Sequence, residues 1–392
     1  MPGESPLSMM RPPEQRARRP YTAPARSRRR WPILVPVAAV IVLAILWTGL
    51  WYYSASRADQ TLAGWVERET AAGRVYSCGT QSIGGFPLGI HAHCADASAE
   101  IKTSEPPYAI AAKDIDFVAE VYDPTRLIGD VTGPVTLAAL GQSPSLAADW
   151  TRARIIVSGV PPNPDRVSIE LGAPHVERIG GGETIFKAKH VDLRGRIAAG
   201  SPQDHPVIEL TLHLAGAAAP TFHALLAEPT EAELDAVVRG FKDLSPKPWA
   251  ERFREMQAAS GSVEIKSLRI TQANSIVVGT GTLSAGANGK LNGLIRVAIV
   301  GIEHIVPRLG IDRLIGQGLD QLSGGNGALD RLVPGLSETI RETAKASVVD
   351  NLKKMGQPTS VDNQPAIVLP LRFSDGAIYL GMLRIGEAPP LF

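Results

Sequence analysis

Cys78, His91, His93 and Cys94 lie close together in the chain and are of types that do chemistry. Thiolates and imidazoles are the usual ligands of a tetrahedral zinc site, while two cysteines alone can form a disulfide. On a strand, His-x-His puts both rings on one face. Cys94 has the opposite parity, which works against convergence on one ion. Between the cysteines, Gly84, Gly85, Phe86 and Pro87 form a turn signal joining two strand-like runs. A hairpin centred on Phe86 would set Cys78 opposite Cys94, and this spacing favours a disulfide over a metal site or free thiols. Closing such a loop contributes roughly 3 kcal/mol through chain entropy. The two histidines then read as solvated strand residues, and neither metal nor cofactor is expected.

The remaining candidates are weaker. Asp114 and Asp116 share one face of a strand, as an acid–base pair would, but so do many solvated carboxylates. Ser323-Gly-Gly-Asn-Gly327 has the glycine content of a phosphate loop. It lacks a preceding strand and a following Lys-Ser/Thr, so it reads as a linker. There is no nucleophile elbow, H-E-x-x-H, Walker A or G-x-G-x-x-G. No catalytic residue is assigned, and the chain is not expected to be an enzyme.

A disulfide needs an oxidising compartment, and the N-terminal region supplies the argument for one. Residues Ile33 to Leu50 form the core of a charge-free apolar run from Trp31 to Ser56, and roughly 20 such residues cross a bilayer as a helix. Trp31 flanks one end, and Trp47, Trp51, Tyr52 and Tyr53 the other, as interfacial belts require. Arg16, Arg18, Arg19, Arg26, Arg28, Arg29 and Arg30 precede the run against only Glu4 and Glu14. The positive-inside rule therefore expects a cytosolic N-terminus and export of everything after about residue 54. Ser54-Ala-Ser56 offers small residues to a signal peptidase. The apolar core is nevertheless longer than the ~7–15 residues of a signal peptide, so an uncleaved anchor in the inner membrane is the expectation. Residues 1–30 then form a basic cytosolic arm with too few apolar residues to fold.

The exported part must be mildly acidic, because the net charge is +1 and the N-terminal arginines exceed that. This balance argues against nucleic acid as a partner. With 38 Gly and 31 Pro spread as turn punctuation, many short strands are expected. Period-2 alternation runs through Ile115, Phe117, Ala119 and Val121. It recurs at Val191, Leu193 and Ile197, and at Ile208, Leu210, Leu212 and Leu214. Ile295, Val297 and Ile299 repeat it, as do Ile367, Leu369, Leu371 and Phe373. Such strands pack one face and wet the other. A parity slip between Ile265 and Leu268 predicts a bulge near Ser267, and Ser374-Asp-Gly376 predicts a turn.

Helices are expected at residues 54–73, ending at Gly73, and from Glu231 to Phe241 behind Thr230. A further helical face is predicted from Trp249, Phe253 and Met256. Ile302 to Leu322 reads as a broken helical stretch. Ala328 to Met355 reads as a stronger helix whose stripe is Leu329, Leu332, Leu336, Ile340, Val348 and Leu352. The domain plan is thus an arm (1–30), a transmembrane helix (31–53), a juxtamembrane helix (54–73) and an exported sheet domain (74–392). A subdivision is expected near 225–260.

The apolar run, the helix carrying Trp65, and Cys78…Gly85-Phe86-Pro87…Cys94 resemble the alphaproteobacterial family of unknown function labelled DUF2125. So does the ending from Leu369 through Ser374-Asp-Gly376 to Leu391. That family is more distantly similar to AsmA-like envelope proteins, and the resemblance implies long curved sheets with an apolar concave side linked to phospholipid transport. No catalytic residues carry over. The expected fold is therefore α+β, mostly β: one transmembrane helix, then a large curved antiparallel sheet with packed helices. The expected function is a membrane-anchored periplasmic protein that handles lipid or another apolar ligand. The alternative is a scaffold or assembly factor binding an envelope protein, and an envelope hydrolase ranks third.

Overall fold

The computed structural model describes residues 31–120, 122–159, 163–306, 347 and 349–392. The expected arm, the linker at 323–327, Val121, and the helical stripe from Leu329 to Val348 lie outside these residues.

Helix α1 spans Trp31–Ala71 without interruption. Its first half has the length and composition to cross a membrane. Gly73, with φ 78°, ends the helix as expected, since a left-handed residue just past the last turn is favoured in glycine. The chain divides after Leu50, and Trp51–Phe392 form one compact unit.

Among the described residues, that unit has nineteen strands. They are β1 (Arg74–Gly84), β2 (Gly89–Ile101), β3 (Tyr108–Glu120), β4 (Asp123–Ala139), β5 (Leu146–Asp149), β6 (Arg152–Ser158) and β7 (Arg166–Gly172). Then follow β8 (His175–Arg178), β9 (Thr184–Lys187), β10 (His190–Ser201), β11 (Asp204–Ala217), β12 (Thr230–Arg239), β13 (Ser262–Gln272) and β14 (Ser275–Ala285). The last are β15 (Leu291–Val300), β16 (Gln357–Val361), β17 (Gln364–Ser374), β18 (Ala377–Leu380) and β19 (Leu383–Glu387). Every described pairing is antiparallel. The main path runs β1-β2-β3-β4-β6-β7-β10-β11-β12-β13-β14-β15-β17-β18-β19. A side branch, β5-β8-β9, leaves the second half of β4 and rejoins the sheet through the bridge between Lys187 and Ala218.

Sequence neighbours pair with each other along most of this path, so short turns suffice to connect the strands. The turn at Asp375 and Gly376 lies where expected: both have positive φ, and Ser374 pairs with Ala377. The register shifts place the bulge at Lys266 and Ser267, near the expected position.

One element differs from expectation. Thr230–Arg239 is strand β12, paired on both sides, and not a helix. Its Ala, Glu and Leu are good helix formers, but Ala232, Leu234, Ala236 and Val238 alternate with Glu231, Glu233 and Asp235. Pairing between two neighbours makes that alternation decisive over propensity. Within the 225–260 region β12 joins β11 to β13 in the sheet, and the loop carrying α2 follows it.

Among the described residues, α-helical segments accompany the sheet. Helix α2 (Trp249–Ala258) buries Met256 and Arg252 but leaves Trp249 73% exposed. Helix α3 (Ile302–Ile305) and the helical residues 349–355 (α4) join the principal core. There Ile302, Val306 and Leu352 pack on Ile265, Ile295, Val297, Ile299, Leu369 and Leu380, covering the sheet around β13, β15, β17 and β18.

Candidate functional site: the apolar face of the sheet

Antiparallel partners in register point to the same face, so the pairings can be read as rows across the sheet. One row runs Ile90, Ala119, Leu127, Val157, Val167, Gly195, Leu210, Ala236, Ile265, Gly281, Ile295, Leu371 and Leu380. The next runs Ala92, Phe117, Gly129, Ile155, Ile169, Leu193, Leu212, Leu234, Leu268, Gly279, Val297 and Leu369. Neither row contains a polar side chain. Shifting the register by one residue gives the opposite face. There His93, Asp116, Asp130, Arg154, Glu170, Asp192, His213, Glu233 and Arg269 line up across nine strands.

The charged row is paired largely within itself. Arg154 donates two hydrogen bonds of 2.8 Å to the Asp130 carboxylate, and those bonds hold the Asp130 carboxyl below its usual range and raise the Arg154 guanidinium. Arg194 bonds Asp192 at 2.6 Å, and Arg196, beside this row, bonds Glu209 and lowers its carboxyl in the same way. These pairs reach water, Arg154–Asp130 being part-buried and the others exposed, and are of small energetic value. Their consequence is orientation, because they commit one side of the sheet to water.

The apolar side is covered unevenly. Around β13, β15 and β17 it lies under α3 and α4, so Ile265, Ile295, Val297 and Leu369 are buried. Toward β2 the same rows open. Phe117, Leu127 and Val167 remain 41%, 40% and 39% exposed, and Ile155, Leu193, Leu210 and Leu212 are only half-buried. Soluble proteins rarely leave a contiguous apolar patch of many strands uncovered, and such a patch marks a surface for binding.

The residues singled out by type fall at one edge of this sheet. Cys78 and Cys94 are bonded, with Cα atoms 5.7 Å apart. They are not directly opposed: Cys78 pairs with Ala97, and Cys94 with Gln81. Asp96, with φ 53° opposite Gly79, breaks the pleat between them. That irregularity lets positions three apart in register meet.

The turn begins at Gly85, whose φ is 101°. Gly85 accepts bonds from Leu88 and Gly89, and a Cβ there would lie 2.7 Å from the Gly89 carbonyl. Gly84 is still in β1, opposite His91. Phe86 and Pro87, joined by a cis peptide bond, form the turn's outer side.

His93 does not converge with the cysteines. Its Nδ1 lies 2.8 Å from Asp116, and its Nε2 lies 3.8 Å from Asp114, so it belongs to the charged row. Among the described residues no group of three His, Cys, Asp or Glu is placed to hold a metal ion.

Sequence reading missed the continuity of the apolar rows. Its signal was available strand by strand, as alternation in β3, β10, β11, β15 and β17, but the alignment of strands is set by turns and bulges. No curated protein and no solved structure matches the chain. A family model does match, over residues 51–389. The chain belongs to the family described as "Uncharacterized protein conserved in bacteria (DUF2125)".

Proposed function

We propose that this protein is a membrane-anchored, non-enzymatic lipid-binding protein that holds acyl chains on the open part of its apolar sheet face. The observation that carries this reading is the pair of uninterrupted apolar rows, which have helical cover at the β13–β18 end and half-exposed side chains from β2 to β11. From β2 to β11 along the main path the rows cross seven strands. At ~4.8 Å per spacing they extend ~29 Å, more than the ~15 Å leaflet half of a ~30 Å hydrocarbon core. Each methylene removed from water contributes ~0.8 kcal/mol, so a chain lying on this face is held without any polar contact.

The Arg-rich N-terminus, the apolar helix and the disulfide support an inner-membrane anchor with a cytosolic N-terminus and a periplasmic sheet domain. Supply of lipid from the bilayer is then local.

The test compares lipid retained by the full chain and by a Leu193→Asp/Leu212→Asp variant after matched detergent purification. Both positions are half-buried and directly opposed across β10 and β11, so the two carboxylates repel, and the variant's fold is verified by circular dichroism before lipid is compared. Lipid surrounding the anchor is common to both samples. The expected result is loss of most of the tightly held lipid in the variant. Equal lipid content in two folded samples would refute the reading.

A further inference from the structure

We propose that the tip of the β1–β2 hairpin, Phe86-Pro87-Leu88, sits in the boundary between headgroups and acyl chains of the bilayer, beside Trp51. This rests on the reading of α1 as a membrane anchor. Trp51 follows Leu50, the last residue of the charge-free core. The eighteen residues from Ile33 to Leu50 span ~27 Å at 1.5 Å per residue, just short of a ~30 Å hydrocarbon core. The indole of Trp51 therefore falls at the interface, where tryptophan is enriched.

Trp51 does not face lipid freely. It is 8% exposed, its Nε1 donates to the Gly89 carbonyl at 2.8 Å, and its ring meets Phe86 edge-on with centroids 5.5 Å apart. The hairpin is thereby fixed at the depth of Trp51. On its outer side it presents Phe86 and Leu88, which are 52% and 66% exposed.

A second turn lies alongside. Gly89 pairs with Glu120, so the β3–β4 turn borders the hairpin, and its Tyr122 is 75% exposed. Two neighbouring turns thus carry large exposed apolar or aromatic side chains at one end of the sheet. At the opposite end of β3 and β4, the exposed loop residues 141–145 are Gly-Gln-Ser-Pro-Ser. An aqueous location accounts for the second end and leaves the first unexplained. Interfacial burial accounts for both. It also brings β2, where the open apolar face begins, to the membrane surface.

The test uses the full chain in phosphatidylcholine–phosphatidylglycerol vesicles, with a fluorescent NBD label on single introduced cysteines and the native disulfide kept oxidised. The variants are Leu88→Cys, Val42→Cys within the anchor, and Ser143→Cys at the far end of β4. Lipids spin-labelled at the 5-position should quench the Leu88 label at least twofold more than the Ser143 label, and iodide should quench it less. If the Val42 label is quenched by lipid and the Leu88 label behaves like that on Ser143, the hairpin inference fails and the anchor stands. A Leu88 label shielded from both quenchers would mean a protein covers the tip, which also overturns the proposal. A Val42 label open to iodide would overturn the anchor and the hairpin together.

Discussion

Truncating two leucines of the same apolar row, one at its helix-covered end and one in its open middle, separates a covered face from an open one. Leu369 and Leu193 both lie in the row that runs from Ala92. Leu369 is 1% exposed and packs in the cluster with Ile302, Val306 and Leu352. Leu369→Ala removes the equivalent of three methylenes, ~2.4 kcal/mol of transfer free energy. The cavity left between sheet and helices raises the loss to about 3–4 kcal/mol. Leu193 is half-buried among its strand neighbours alone, so Leu193→Ala leaves a groove that water fills and costs about 1 kcal/mol. The unit contains ~340 residues, and at ~2.1 cal/mol/K per residue its unfolding entropy is ~0.7 kcal/mol/K. The melting temperature should therefore fall by ~5 °C for Leu369→Ala and by ~1–2 °C for Leu193→Ala. The assay is thermal unfolding followed by tryptophan fluorescence, in detergent and after lipid removal. A loss for Leu193→Ala as large as that for Leu369→Ala would show that the face near β10 is as well covered as the core, and would refute the account of an open face.

Other outcomes follow from the same structure. Cys78→Ser should lower stability by ~3 kcal/mol, the entropy of opening the loop closed by cysteines 16 residues apart, read as a drop in the urea midpoint that reductant reproduces in the wild type. Glu69 accepts two hydrogen bonds from Arg74 in a largely buried site, and the bond from Arg74 lowers its carboxyl below the ordinary 4.5. A depressed carboxylate contributes stability that is fully present above its unfolded value and is lost as pH falls through the folded one. The stability difference between wild type and Glu69→Gln should therefore be constant above pH ~5 and shrink below ~4.5; a difference independent of pH down to 3 would contradict the pairing. Gly281→Ala should cost more than 2 kcal/mol in the same urea titration, because a Cβ there would sit 2.2 Å from the Leu294 carbonyl, and relief requires moving β15 away from β14.

Much of this fold is legible in the sequence, and the reason is local. The end of α1 is written in Gly73, the bulge in the parity slip around Ser267, and the last hairpin in Asp375-Gly376. Alternation in β3, β10, β11, β15 and β17 marks which residues face the apolar side. The failure at Thr230–Arg239 is equally physical: Glu231, Leu234 and Ala236 favour a helix in isolation, and only β11 and β13 on either side make a strand of them. The cysteine pair was legible as a disulfide, but its route was not, because the left-handed Asp96 that brings the sulfurs together has no strong signature in a strand. The candidate site was least legible of all. Each strand announces an apolar face, yet that thirteen positions form one row, and that the described helices α3 and α4 lie over one end of it, depends on registers and on contacts between residues as distant as Ile265 and Leu352.

Site-specific photocrosslinking in living cells tests the central claim most directly. A benzophenone amino acid replaces Phe117, an aromatic for an aromatic on the open apolar face, or Arg194, whose side chain is 68% exposed on the charged face. After irradiation, mass spectrometry of the purified chain should find lipid adducts at position 117 and few or none at 194. Equal lipid labelling at both positions, or a protein crosslink alone at 117, would contradict the assignment of the apolar face to lipid.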